Sequence, residues 1–290
     1  CEVIVFYDGE LSAKHSKILD RLKSRSERQQ GFANAKIFPV DMSNAQAFER
    51  ADLWQTLRQN EAVTLPHVLV RTKMGRGRYI NHWHGTLTDT DRFGLFQSPV
   101  RIELRDRLLA GQSIVWLLVK SNDRKKSEAA KTLAQESFNT LASKIDLPEG
   151  IGLPGSELYA DVPLVLKFSL LEIDADDDEE EFLARLLTGL RRQAFDEGEP
   201  LFIPVFGRGR ALEVIPARDM TRKLMEELTL FLSGACSCQV KEQNPGFDLL
   251  IDADWDTELF GDDENRPPDR SSEEGRNRKP ALVPIPPGRK

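Results

Sequence analysis

A chain of 290 residues is long enough for two domains of ordinary size, each burying a core of its own. With 40% hydrophobic and 30% charged residues, it contains no apolar run near the roughly 18 residues a spanning helix needs, which excludes a transmembrane segment. The formal net charge is −7 and the bases are interleaved with acids, so the clustered cations needed to grip nucleic-acid phosphates are missing.

In chain order, Val3-Ile4-Val5-Phe6-Tyr7 is a continuous apolar run closed by Asp8-Gly9, the pattern of a strand buried on both faces. Leu11, His15, Ile18, Leu19 and Leu22 follow at helical spacing, up to Gly31. Ile37 to Val40 reads as a second strand, and Ser43 or Asn44 can cap a helix whose inner face is Phe48, Ala51, Trp54 and Leu57. Pro66 precedes the run His67-Val68-Leu69-Val70, Gly75-Arg76-Gly77-Arg78 reverses the chain, and Tyr79 to Trp83 returns as the hairpin partner. Ser98-Pro99 opens a helix carrying Ile102, Leu104, Leu108 and Leu109, and Gly111 ends it.

The order then repeats. Ile114 to Val119 is a strand apolar on both faces; Ala130, Ala134, Phe138, Leu141 and Ile145 line one stripe of a long helix; Pro148 to Gly155 forms a loop absent from the first half. Leu164 to Ile173 is the next strand, and Phe182, Leu183, Leu186, Leu187 and Leu190 face inward from the next helix. Leu201 to Phe206 and Ala211 to Ile215 form a hairpin about Gly207-Arg208-Gly209-Arg210, before a last helix stopped by Gly234. Each half reads βαβαββα, a duplication that divides the chain into 1–111 and 112–235. A cysteine-containing extension at 236–260 and a tail at 261–290 follow. The tail's prolines and mixed charges leave too few apolar side chains to offset ordering entropy, so disorder is expected there.

Strand, helix, strand, helix, then a proline directly before a hairpin and a last helix resembles the thioredoxin-like superfamily. Leu65-Pro66 falls where that family carries its cis proline, and Pro200 is the corresponding residue in the looser second copy. The resemblance implies an α/β fold of two tandem thioredoxin-like domains, each a central mixed sheet flanked by helices. It also implies a Cys-x-x-Cys at the start of the first helix of an active copy. Neither Asp8 to His15 nor Ser121 to Lys126 contains cysteine, so neither copy has the accessible thiolate that dithiol exchange needs. Degenerate copies of this kind resemble the non-catalytic domains of disulfide isomerases, which bind polypeptide or hold other domains apart. The string from Phe206 to Leu212, followed by Cys236-Ser237-Cys238 and Asn244-Pro245-Gly246, is similar to uncharacterised exported bacterial proteins.

Three cysteines cannot make a disulfide framework. Cys1 has two readings: the processed first residue of a bacterial lipoprotein, carrying lipid and placing the protein in the cell envelope or outside it, or the edge of a trimmed chain, compatible with a cytoplasmic location. Against a lipid, Cys1 runs straight into a strand without a tether. Cys236 and Cys238, at i and i+2, suit a soft metal, a strained disulfide or a partner's thiol, although small side chains packed beneath Val240 and Phe247 explain them more simply.

His67, His82 and His84 share the first hairpin, with His84 opposite position 69 and His67 its diagonal neighbour. A metal site is conceivable there, and the solvated face of a sheet is the simpler expectation. His15 can approach Pro66 across the family's cleft with Ser12 beside it, but serine and histidine alone lack an orienting acid and an oxyanion hole. The arginine-bearing turns suit carboxylate or phosphate, or serve as soluble hairpin tips. Asp174 to Glu181 fails as a calcium loop, having Glu179 at the sixth place and Arg185 at the twelfth.

None of these patterns calls for a cofactor. The expectation is a non-catalytic scaffold of the bacterial envelope that binds a protein or peptide and no nucleic acid. The alternative is a redox or soft-metal protein acting through Cys236 and Cys238, and a hydrolase using Ser12 and His15 ranks third.

Overall fold

A computed structural model describes residues 1–26, 33–44, 48–60, 62–73, 79–92, 94–142, 165–233 and 246–260. The first glycine-arginine turn, the loop at 148–155, Cys236, Cys238 and the tail at 261–290 lie outside the described residues.

The first half contains β1 (Glu2–Tyr7), α1 (Ala13–Ser24), β2 (Lys36–Asp41), α2 (Phe48–Asn60), β3 (His67–Lys73), β4 (Tyr79–Thr86), a turn of helix α3 (Asp89–Arg92) and α4 (Pro99–Leu109). Its sheet has the order β2-β1-β3-β4. β1 runs parallel to β2 and antiparallel to β3, with Val3 opposite Ile37 and Phe6 opposite His67. As the central strand it is covered on both faces, and Val3 to Phe6 are fully buried. Ile4 and Phe6 meet Trp54 of α2, while Val3 and Val5 face the other way, toward Leu19, Leu22 and Leu104.

The second half contains β5 (Gln112–Lys120), α5 (Arg124–Ala142), β6 (Val165–Asp174), α6 (Glu181–Gly189), α7 (Arg192–Asp196), β7 (Leu201–Phe206), β8 (Arg210–Ala211), β9 (Ile215–Pro216), α8 (Arg222–Ser233), β10 (Phe247–Asp248) and α9 (Trp255–Phe260). β5 repeats the relations of β1, parallel to β6 and antiparallel to β7. The sheet runs β10-β8-β7-β5-β6, with β9 also on β7. Ile114, Trp116 and Leu118 pack beneath α5 and α8; Val115, Leu117 and Val119 point to the opposite side. The fold is therefore α/β, two mixed sheets flanked by helices, an arrangement consistent with the two tandem thioredoxin-like domains expected from the sequence.

The two inward faces meet in one core. Val68 and Val70 of the first sheet and Ile203 and Val205 of the second share it with Leu104 and Leu108 of α4, Phe182, Leu183 and Leu187 of α6, and Leu249 to Ile251. Burying a side chain such as Phe182, 1% exposed, contributes about 1.5–3 kcal/mol, so the core is a substantial bond between the halves.

Two expectations need correction. The return strand of the second hairpin is broken into β8 and β9 rather than continuous from 211 to 215. The carbonyl of Pro204 accepts from Leu212 N–H at 3.0 Å, so its missing N–H faces the same neighbour and that pair cannot close. In α4 the buried row is Arg101, Leu104 and Leu108, and Ile102 is 39% exposed. An arginine occupies the inward phase that Ile102 was expected to hold.

Candidate functional site

The start of the first helix in each half is where the resemblance calls for a dithiol. In the first half the chain leaves β1, turns at Gly9 (φ 63°) and enters α1 behind Ser12. Gly9 N–H donates to Asp41 Oδ1 at 3.0 Å, tying the turn to the end of β2. Hydrogen bonds from the Ser43 hydroxyl first, then from the main-chain N–H groups of Gly9 and Ser43, hold the Asp41 carboxyl below the usual range.

Ser12 is the N-cap. Its Oγ accepts the main-chain N–H of His15 at 3.3 Å, so the contact between these residues runs through the backbone and not the imidazole. Pro66 lies half-buried just before β3, and the Leu65–Pro66 bond is cis.

The second half repeats the capping and differs in what surrounds it. Asp123 Oδ1 accepts the main-chain N–H of Lys126 at 3.1 Å, the counterpart of the Ser12–His15 contact. Ser121 Oγ donates to the carbonyl of Gly198 at 2.8 Å, and Lys126 Nζ lies 2.6 Å from Glu199 Oε1. Glu199, 7% exposed, also accepts from Arg218 N–H at 3.2 Å. The segment leading to Pro200 is thus stitched to the helix start. No hydrogen bond or ion pair among the described residues joins 8–15 to 62–66, and the first junction stays open, with Ser12 and Thr64 exposed and Leu11, His15, Leu65 and Pro66 half-buried. The Glu199–Pro200 bond is trans.

The three hairpin histidines are divided between the faces of the sheet. His84 stands opposite Leu69 as expected, and His67 Nε2 lies 3.2 Å from His84 Nδ1. The expected solvated face is corrected: α2 covers it, Trp54 packs on His67 with ring centroids 5.9 Å apart, and His67 is 4% exposed. The register slips between Val70 and Arg71, so His82 leaves the face of His84 and packs on Phe247, 6.2 Å between centroids. Burial first, and the N-terminal ammonium second, push His82 down to about 4. No cluster of three or more His, Cys, Asp or Glu side chains suited to a metal occurs among the described residues.

Cys1 is held within the fold. Its ammonium donates to Asn34 O at 2.9 Å, and its thiol lies 3.3 Å from Thr72 Oγ1 and 3.7 Å from the carbonyl of Asp248. Arg210, of the second glycine-arginine turn, finds a carboxylate within its own chain, 2.6 Å away on Asp248.

One polar cluster was not visible from sequence. Arg101 is 1% exposed and donates through Nε to Ser98 Oγ at 3.0 Å, through Nη1 to the carbonyls of Leu95 (2.8 Å) and Leu250 (2.9 Å), and through Nη2 to Gly94 O. Glu180 of the second half, 2% exposed, accepts from Ser98 Oγ at 2.6 Å and Val100 N–H at 2.7 Å, and so caps a helix of the first half. Burial lowers Arg101 to about 10, opposed by Glu180, and the guanidinium stays charged at neutral pH; burial raises Glu180. The Ser98-Pro99 cap was legible, but its buried arginine followed from no pattern.

No protein-family model matches the chain, and no curated protein matches it. Among solved structures, the crystal structure of full-length ERdj5 is similar to it at 12% identity and a TM-score of 0.22, covering 78% of this chain and 28% of that one. The chain therefore spans under a third of the length of ERdj5. At that score the likeness adds nothing to what the strand order establishes. No helix among the described residues is long and apolar enough to cross a membrane.

Proposed function

We propose that the protein is a non-catalytic binding module that takes up a protein or peptide segment at the open β1–α1 junction of its first domain. The observation that carries this reading is what fills the two helix starts. Ser12 with His15, and Asp123 with Lys126, cap main-chain N–H groups where a dithiol would stand. Neither pair supplies a thiolate, and neither brings a base onto a nucleophile. The fold then offers surfaces rather than chemistry. Of the two equivalent junctions, the second is closed by Lys126–Glu199 and Ser121–Gly198, and in the first Leu11, Leu65 and Pro66 stay partly exposed and Ser12 is exposed.

A photo-crosslinking side chain placed at Ser12 in the full chain, with the same group at Arg124 as the control, tests this. A reproducible polypeptide adduct at position 12, several-fold above that at 124, is the expected result. Equal labelling at both positions, or no adduct at 12, contradicts the reading.

A further inference from the structure

Residues 246–252 run extended between the two halves, and the rest of the chain holds them as a binding site holds a peptide. Their main-chain groups are met singly by groups from both halves. The carbonyl of Gly246 accepts from Arg210 Nη2 at 3.0 Å, and Leu249 N–H donates to Gly209 O at 3.0 Å. The side-chain amide of Asn34 reads two groups at once, donating to Leu249 O at 2.7 Å and accepting from Ile251 N–H at 3.1 Å. Arg101 donates to the carbonyl between them, that of Leu250. Phe247 and Asp248 add to the edge of β8, and Asp252 bridges antiparallel to Ala33. A carboxylate at each end meets an arginine from a different half, Asp248 with Arg210 at 2.6 Å and Asp252 with Arg25 at 3.1 Å. Leu249, Leu250 and Ile251, between them, are at most 2% exposed.

Main-chain pairing along an edge with charged ends fixing register is the chemistry of strand addition. We propose that this cleft is a strand-acceptor site for Phe247-Asp248-Leu249-Leu250-Ile251-Asp252, and that a second copy of this chain can supply the strand, two copies exchanging their segments in a closed dimer. The occupant is set by complementarity. The cleft needs an acid, an apolar triplet and an acid in that order, and this chain carries that order. Residues 234 to 245 join α8 to the segment, a stretch of chain whose contour from Ser233 to Gly246 is at most about 47 Å.

Withdrawing the strand from a folded chain would expose Phe247, Leu249, Leu250 and Ile251 together, a loss comparable to the stability of a whole domain. Exchange is therefore decided during folding. The tether gives a chain's own strand an effective concentration on the order of millimolar, so dilute chains close on themselves and concentrated ones exchange.

The test refolds the full chain from denaturant, under reductant, at concentrations from about 1 μM, far below that crossover, up to about 1 mM, where it lies. Light scattering after dilution should show monomer from the dilute samples and a growing, slowly dissociating dimer from the concentrated ones. Charge reversal assigns the dimer to the strand. One variant carries Asp248→Lys and Asp252→Lys, the other Arg25→Glu and Arg210→Glu. Refolded together, they regain all four ion pairs only by exchanging strands, and should give at least about fivefold more dimer than either variant alone. If a variant fails to fold alone, recovery on co-refolding supports the proposal equally. Wild type that stays monomeric throughout, or a mixture no richer in dimer than its components, overturns it.

Discussion

Glu180 caps the first turn of α4 across the boundary between the two halves, accepting from Ser98 Oγ at 2.6 Å, while Arg101 of that same turn donates to the Ser98 oxygen from the other side. The hydroxyl links an acid from one sheet's domain to a base from the other's. Three main-chain carbonyls complete the coordination of the guanidinium. This knot lies in the core that both sheets share, so the halves should lose structure together.

Arg101→Met leaves Glu180 without its buried counter-charge and strips three carbonyls of their donor. The expected cost is about 3–5 kcal/mol in denaturant unfolding. Glu180→Gln keeps the shape and one acceptor and should cost less, about 1–3 kcal/mol. Native-state hydrogen exchange is expected to show β1 and β5 losing protection by equal amounts in either variant. A loss confined to β1 would mean that the halves unfold separately.

Stability should rise with pH through a window set by His82. Its folded value is depressed to about 4 from 6.5, so between those values the unfolded chain binds a proton that the fold refuses. The unfolding free energy then increases with pH by up to about 1.4 kcal/mol per unit from this residue, and gains nothing further from it above pH 6.5. His82→Gln removes that slope. Urea titrations of both proteins between about pH 4.5 and 7.5 measure it, and parallel curves would contradict the assignment.

The two glycines of the second turn should respond unequally to alanine. Gly207 (φ 57°) has open space where a Cβ would stand, and Gly209 (φ 78°) would bring one within 2.6 Å of Ile251 Cδ1. Gly207→Ala should cost about 1–2 kcal/mol for the left-handed backbone alone. Gly209→Ala carries the same strain and must also push aside the end of the Ile251 side chain, so its midpoint in thermal melts should fall further. Equal shifts would show that Ile251 moves aside freely.

The order of the elements was legible because both central strands are covered on two faces and read as unbroken apolar runs, Val3 to Phe6 and Ile114 to Val119. The row of α6 was equally plain: Phe182, Leu183, Leu186 and Leu187 recur at helical spacing and are all buried. Legibility failed where a polar side chain takes an inward position. Arg101 displaces Ile102 from the buried row of α4 because four acceptors converge on it, and hydropathy periodicity does not register convergence. The same limit hid the covering of His67 by Trp54 and the irregularity that sends His82 to the opposite face. Residues 247 to 251 resembled a short extension, because the partners that bury them, Asn34, Arg101 and Gly209, are remote in sequence. At the helix starts the absence of cysteine was readable directly, and the closure of the second junction by Lys126 and Glu199 required the fold.

The most direct measurement of the central claim, that this pair of mixed sheets works without thiol chemistry, is the rate at which a disulfide-bonded substrate protein is reduced by dithiothreitol with and without the full chain. Equal rates are predicted. Catalysed reduction that disappears in a Cys236→Ser, Cys238→Ser variant would contradict the account and move the chemistry to those two thiols.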